Sequence, residues 1–334
     1  MKAFIVKKYW KNESHYLTDV TEPVINDNEV LVQIHATAIN PLDILVRNGD
    51  FKLFLPYKPP FINGHDMAGL ITKIGSKVTK FKVGDEVYSR PRDHKIGTFA
   101  EFIAVHESDL ALKPKNISME EASSIPLVWL TSWQALVEVA NLKKGQKVFI
   151  QAGSWGAGSF AIQLAKYLWA FVATTVSASN IELVKNLGAD VVIDYKKEDF
   201  SKILKGYDVV LHSSKDPKIL SDSLKILKKG WILVSLTWPV TPEFARQVKL
   251  NWFFQFIMWM LSRGVRKNAK KLGVHFKFLF MRAEGKQLSK ITELIEDWKI
   301  RPVIDRVFPF HQMNEAISYV EAWHSRGKVV VKVK

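Results

Sequence analysis

An apolar run, Lys147-Val148-Phe149-Ile150-Gln151, leads directly into Ala152-Gly153-Ser154-Trp155-Gly156-Ala157-Gly158 and then into an amphipathic stretch, Phe160-Ala161-Ile162-Gln163-Leu164-Ala165-Lys166. Strand, glycine-rich turn and helix in immediate succession bring backbone N–H groups and a helix N-terminus to one point, where a pyrophosphate is held. No other segment limits the fold as strongly. A strand feeding a helix in this way belongs to a parallel sheet, because the helix is the crossover to the next strand.

The surroundings agree. From Ser118 on, helical periodicity alternates with β-branched runs: helix 119–140, strand 147–152, helix 158–168, strand 171–176, helix 180–187, strand 191–193, strand 209–212, helix 217–228 and strand 232–236. This predicts a doubly wound parallel sheet. Ahead of it, residues 1–123 carry short strands at 29–35, 68–74, 85–88 and 99–105, turn residues between them, and one short helix at 41–47. A basic, aromatic-rich connection at 240–272 is followed by a strand near 276–281, helix 286–297, strand 304–308, helix 313–322 and strand 329–333.

At 334 residues the chain exceeds what one hydrophobic core usually serves, so two domains are expected. The absence of cysteine excludes disulfides, a thiol nucleophile, an Fe–S cluster and any thiolate zinc site. The net charge of +15 favours anionic partners such as phosphorylated cofactors, nucleic acid or acidic lipid. No secretory signal is read at the start and no apolar run approaches the roughly 20 residues of a membrane span, so a cytoplasmic location is expected. The strand after the glycine turn ends Ser177-Ala178-Ser179-Asn180, where an NAD enzyme would place an acid on the ribose 2′-hydroxyl. Small hydroxyl side chains, Lys185 and Tyr195 with its following lysines leave room and positive charge for a 2′-phosphate, which favours NADPH.

Six further stretches, in order, give the whole chain its resemblance to the zinc-independent quinone and enone oxidoreductases of the medium-chain dehydrogenase/reductase superfamily. They are Ala38-Ile39-Asn40-Pro41-Leu42-Asp43, Gly64-His65-Asp66-Met67-Ala68-Gly69, Val83-Gly84-Asp85-Glu86-Val87, Gly97-Thr98-Phe99-Ala100-Glu101, Thr131-Ser132-Trp133-Gln134-Ala135-Leu136 and Arg326-Gly327-Lys328-Val329-Val330. The resemblance implies an α/β protein with a GroES-like β-barrel catalytic domain at 1–123, completed by 273–334. A Rossmann NADPH-binding domain at 124–272 lies between, with the active-site cleft where the two meet.

Carried over by residue, the resemblance puts Asn40 and Asp43 beside the nicotinamide and Thr131 against it from the Rossmann side. Asn40 and Asp43 are equally suited to cap the helix 41–47. Ala152, Gly153, Ser154, Trp155, Gly156, Ala157 and Gly158 would hold the pyrophosphate, and Ser177, Ser179, Asn180, Lys185 and Tyr195 the adenosine end. Phe278, Phe280 and Lys328 complete the expected cofactor contacts, although a strand alternating Phe and Leu also reads as core. His65, Asp66 and Asp43 offer oxygen and nitrogen ligands, but a hydrogen-bonded histidine beside a turn is the simpler reading, and no metal is expected. Without a metal Lewis acid the substrates should already be electrophilic, namely quinones or alkenes conjugated to a carbonyl. The resemblance also admits a homodimer through an open edge of the Rossmann sheet. It makes the apolar segment 252–259 a cover for the substrate cleft.

The chain departs from its family chiefly in tryptophan. Trp129, Trp155, Trp169, Trp231, Trp238, Trp298 and Trp323 fall where the family has glycine, and Trp155 replaces the middle glycine of the phosphate turn, where an indole should block the cofactor. Read as glycine, these positions would raise the total from 17 to 24, near the roughly 7% of average usage. One codon explains one residue type: some bacteria read UGA as glycine where another code reads tryptophan. Genuine tryptophans in a cofactor-deficient homologue that binds nucleic acid or a membrane surface through its basic face are the alternative. Smaller departures are Leu45, where relatives often carry lysine, and His212-Ser213-Ser214-Lys215-Asp216, where His212 reads as a solvated loop residue.

Overall fold

The computed structural model describes every residue except Asn12 and His324. Its contacts divide the chain into two units, Met1–Leu130 with Arg282–Lys334, and Thr131–Met281.

The first unit is built around the long strand Glu29–Ile39, whose alternating Val30, Val32 and Ile34 point into one core with Met67, Ile71, Val87 and Ile103. A strand of period two buries a whole face only in one register, and here that register pairs it antiparallel with Asp66–Ile74, Phe102–His106 and Lys328–Lys332. The sheet runs Ile304–Pro309, Lys328–Lys332, Glu29–Ile39, Asp66–Ile74, Glu86–Ser89, Leu110–Leu112. A smaller three-stranded sheet joins Tyr16–Asp19, Lys2–Val6 and Phe61–Ile62. None of these three strands has a counterpart in the sequence expectation.

The second unit is a six-stranded sheet in the order Val191–Asp194, Phe171–Val176, Lys147–Ile150, Tyr207–His212, Leu227–Ser235, His275–Phe278, with every pairing parallel. Numbered along the chain this is 3-2-1-4-5-6, the doubly wound order whose direction reverses beside the first strand. Its central strands are buried on both faces, which is why they read as continuous apolar runs.

Five expectations are corrected. The helix expected over 119–140 is three pieces, Met119–Ser123, Pro126–Trp133 and the π-helical Gln134–Val139; Pro126 lacks the N–H that would continue the first piece. Residues 240–272 are not a connection but two helices, Pro242–Gln247 and the 21-residue Trp252–Leu272, the latter capped by the Asn251 side chain and closed by left-handed Gly273. The strand His275–Phe278 pairs parallel with Leu227–Ser235, so residues 273–281 belong to the parallel sheet rather than to the catalytic domain. The pair Lys229-Gly230 reads as a turn leading into Trp231, but Trp231 lies within the strand Leu227–Ser235. His212 is no loop residue: it ends the strand Tyr207–His212 fully buried, with Nδ1 3.0 Å from the Ser235 hydroxyl.

Candidate cofactor and active site

In the parallel unit the strand Lys147–Ile150 turns over Ala152, held at φ +52°, and enters the helix Gly156–Tyr167. Two glycines are fixed here by space. A Cβ on Gly153 would sit 2.2 Å from the Thr174 hydroxyl, and one on Gly158 would sit 2.3 Å from the Ala152 carbonyl oxygen. Neither neighbour can yield cheaply, so close packing of helix on strand requires glycine at both. The helix has no side-chain cap: its N-cap is Trp155, which brings no acceptor to the first-turn N–H groups. Those donors, with the positive end of the helix, form a seat for an anion.

Beside the seat, the next parallel strand delivers Ser177, Ser179 and Asn180. The Asn180 amide donates to the Ser154 hydroxyl at 3.2 Å and to Ser177 at 3.3 Å, and the Asn180 carbonyl oxygen is buried without a partner among the described residues. Lys185 and Tyr195 are exposed, the Tyr195 N–H tied to the Val176 carbonyl at the end of that strand. On the other flank the Gln151 side chain accepts from the Ser213 N–H at 3.1 Å and donates to Ser223 at 2.8 Å, fastening the turn to the strand that ends in His212. Burial alone pushes the His212 imidazole down to about 4, so it is neutral at ordinary pH. These residues fit a dinucleotide pyrophosphate and ribose. Only Trp155, standing at the N-cap itself, conflicts with the fit.

The first unit holds a buried polar cluster. The Lys328 ammonium donates to the Asn40 side-chain oxygen, to Asp66 Oδ2 at 3.1 Å and to the Ile39 carbonyl at 3.3 Å, which engages all three of its protons. Asp66 also accepts from the Asn40 amide at 2.8 Å and, through Oδ1, from the Leu127 N–H at 2.7 Å. Asp43 accepts from the Asn40 N–H at 2.7 Å, half of a capping box for the helix Pro41–Asn48, and its other oxygen lies 2.5 Å from His65 Nδ1. Asn63 extends the chain of contacts, donating to the Asp43 carbonyl at 2.9 Å and meeting His15 Nε2 at 3.0 Å. Burial, assisted by the Arg47 cation, pushes His15 down to about 4. His65 Nε2 is buried and meets no partner among the described residues.

Comparison with known proteins places the whole chain. Residues 26–115 match the alcohol dehydrogenase GroES-like domain family and residues 187–331 the zinc-binding dehydrogenase family. The mouse mitochondrial NAD(P)H oxidoreductase RTN4IP1 is 36% identical over 100% of this chain and 89% of its own length. The Arabidopsis thaliana chloroplastic NADPH-dependent alkenal/one oxidoreductase is 34% identical over 99% of this chain and 79% of its own. Among solved structures, the quinone oxidoreductase of Coxiella burnetii superposes with a TM-score of 0.87 at 28% identity, covering 100% of this chain and 99% of that one. The chain belongs to the zinc-independent quinone and enone oxidoreductases of the medium-chain dehydrogenase/reductase superfamily. It is therefore an oxidoreductase that takes a nicotinamide cofactor.

In this reductase Asn40, Asp43 and Lys328 come together in one cluster, while the turn 152–158 and Ser177, Ser179 and Asn180 come together in the other unit. Thr131 is buried in the helix Pro126–Trp133. Phe278 and Phe280 pack against Phe244, with ring centroids 5.3 and 5.0 Å apart. His65, Asp66 and Asp43 are committed to the hydrogen bonds above, and among the described residues no three His, Asp or Glu side chains are arranged to hold a metal. His15, Asn63 and Gln151 carry no signal in the sequence, because their partners lie far along the chain or are defined only by the fold.

The tryptophans divide by backbone. Trp169, Trp298 and Trp323 have φ of +61°, +55° and +57°, the left-handed region that glycine tolerates and an indole does not. Trp169 and Trp298 occupy the C′ position of Schellman closures, with Ala170 N–H bonded to the Ala165 carbonyl and Lys299 N–H to the Leu294 carbonyl. Trp155, at φ −83°, is under no such demand.

Proposed function

We propose that this chain reduces quinones or α,β-unsaturated carbonyls with NADPH rather than NADH. The glycine-dependent turn beneath an uncapped helix N-terminus carries the reading, since the close helix-on-strand packing that Gly153 and Gly158 permit brings the first-turn N–H groups to the end of the strand with no side-chain cap over them. When bound, the nicotinamide supplies the hydride. The first-turn N–H groups of the helix hold the pyrophosphate. Ser177, Ser179, Asn180, Lys185 and Tyr195, with no carboxylate at 177–180, hold a ribose 2′-phosphate.

In the GroES-like unit, Asn40, Asp43 and Lys328 act by position. Their polar atoms are engaged with each other, with Asp66 and with His65, so they fix the backbone around residues 40–48 rather than offer free donors. Relatives named as alkenal/one and quinone oxidoreductases support an electrophilic small molecule as the acceptor. The relatives' names place them in mitochondria and chloroplasts; for this chain we propose the cytoplasm, which fractionation of the source cells checks. We also propose a homodimer through the edge strand His275–Phe278, to be read by sedimentation.

The test is a fluorescence titration with NADPH and NADH of the chain as written and of Trp155→Gly, followed by NADPH oxidation with a small enone and a benzoquinone. Tight NADPH binding by the glycine form alone supports both the site and the reading of UGA as glycine. No binding by either form overturns the reductase reading. The genomic codons decide the tryptophans independently: UGG at all seven positions would sink the decoding account.

A further inference from the structure

The helix Trp252–Leu272 buries Met258, Ser262 and Ala269 and half-buries Phe254, Ile257, Val265, Asn268 and Leu272, so one side holds it to its unit and the opposite side is open to partners. Its first three turns expose Trp252, Phe253, Phe256, Trp259, Met260 and Leu261, each between 42% and 76% accessible. Phe256 and Trp259 stack at an interplanar angle of 16°, and the guanidinium groups of Arg263 and Arg266 lie 5.7 Å from the Trp259 ring. The following turns carry Arg263, Arg266, Lys267, Lys270 and Lys271. From residue 244 to residue 283 the chain contains nine lysines and arginines and no aspartate or glutamate. No helix among the described residues is long and apolar enough to cross a membrane.

We infer that this face docks the protein on an anionic lipid bilayer, the helix lying in the plane of the interface. An exposed aromatic and aliphatic patch of this size on a water-facing helix calls for an apolar partner. The adjoining cationic turns, on a helix without an acid of its own, call for an anionic one, and a bilayer containing acidic lipid offers both within one helix length. Nucleic acid would engage the cations but leave Met260 and Leu261 unserved. The inference is independent of the reductase reading, which the NADPH titration tests separately.

The experiment is co-sedimentation of the full chain with vesicles of phosphatidylcholine alone and with added phosphatidylglycerol. Partitioning onto the acidic vesicles should exceed that onto neutral ones by at least about tenfold, and should be lost on raising salt from about 0.1 M to 1 M, where the Debye length falls from about 10 to 3 Å. Phe253→Gln with Phe256→Gln should weaken partitioning about tenfold on acidic vesicles. Arg263→Glu with Lys267→Glu should remove the preference for acidic lipid, at roughly five-fold or more per charge. All four positions are exposed, and unchanged thermal melts certify the fold. Absence of an acidic-lipid preference, or indifference to both variant pairs, overturns the inference. So does a concentration-dependent dimer abolished by the phenylalanine pair without vesicle binding, which makes the occupant a second copy, or salt-sensitive RNA binding without vesicle binding.

Discussion

The phosphate turn and the buried cluster around Lys328 are two ways of building a polar site. At the turn the protein works by leaving side chains out: two glycines, a bare helix end and backbone N–H groups arranged within a dozen consecutive residues. In the cluster it works by putting side chains in, with a lysine, two carboxylates, two amides and two histidines drawn from residues 15 to 328, each in hydrogen-bond contact with at least one other. A backbone site tolerates almost no added atoms, while a side-chain site tolerates no missing partner. The two should therefore fail differently.

Removing one charge from the cluster is the harshest test. Lys328→Met leaves the Asp66 carboxylate buried without its cation and should cost about 3–5 kcal/mol in denaturant melts, whereas Lys328→Met combined with Asp66→Asn should lose clearly less. An equal loss in both variants would show that packing, not charge, holds the cluster.

Acid offers a second contrast, because each unit buries a histidine held well below its ordinary value. His15 and His212 have folded values near 4, below the ordinary value near 6.5, so the unfolded chain binds the extra protons. Their contribution is fully present above about pH 6.5 and is lost as pH falls toward 4, at up to about 3 kcal/mol each. Melts across this window should flatten in His15→Gln and in His212→Gln; an unchanged slope in either removes that histidine from the account.

At the turn, Gly158→Ala forces a methyl against the Ala152 carbonyl and should cost about 1–3 kcal/mol while raising the NADPH dissociation constant by more than the stability change explains. The smallest effects separate the tryptophans. Trp169→Gly and Trp298→Gly should each gain about 1 kcal/mol by relieving a left-handed backbone. Trp155→Gly should change stability little and cofactor binding greatly. If Trp155→Gly stabilised as much as Trp169→Gly, the distinction drawn from their φ angles would fail.

The same contrast governs what the sequence alone made readable. The turn is local, so strand, glycines and helix could be read in one window. The cluster was visible only as separate motifs, because Lys328 and Asp66 stand 262 residues apart and nothing at either position announces the other. His212 was misplaced because a polar residue at a strand end, followed by Ser213-Ser214-Lys215-Asp216, reads as part of the loop, although the strand expected over 209–212 already reached it. The helix Trp252–Leu272 escaped because its first half is apolar on every side and its second half cationic, so no amphipathic stripe stands out; its stop signals, Asn251 and Gly273, were present all the same.

The strand Lys328–Lys332 lies between Ile304–Pro309 and Glu29–Ile39, one strand in from the edge of its sheet. On a ribosome, residues 131–281 emerge entire and can assemble by themselves, while the GroES-like unit waits with its sheet split and Asp66 without its cation. At about 5–20 residues per second, the 262 residues between Asp66 and Lys328 make that interval roughly 10–50 s long. The lysine that completes the charge balance is thus also a timing mark: until it arrives, the N-terminal part is a client for chaperones and proteases, and afterwards it is a finished domain.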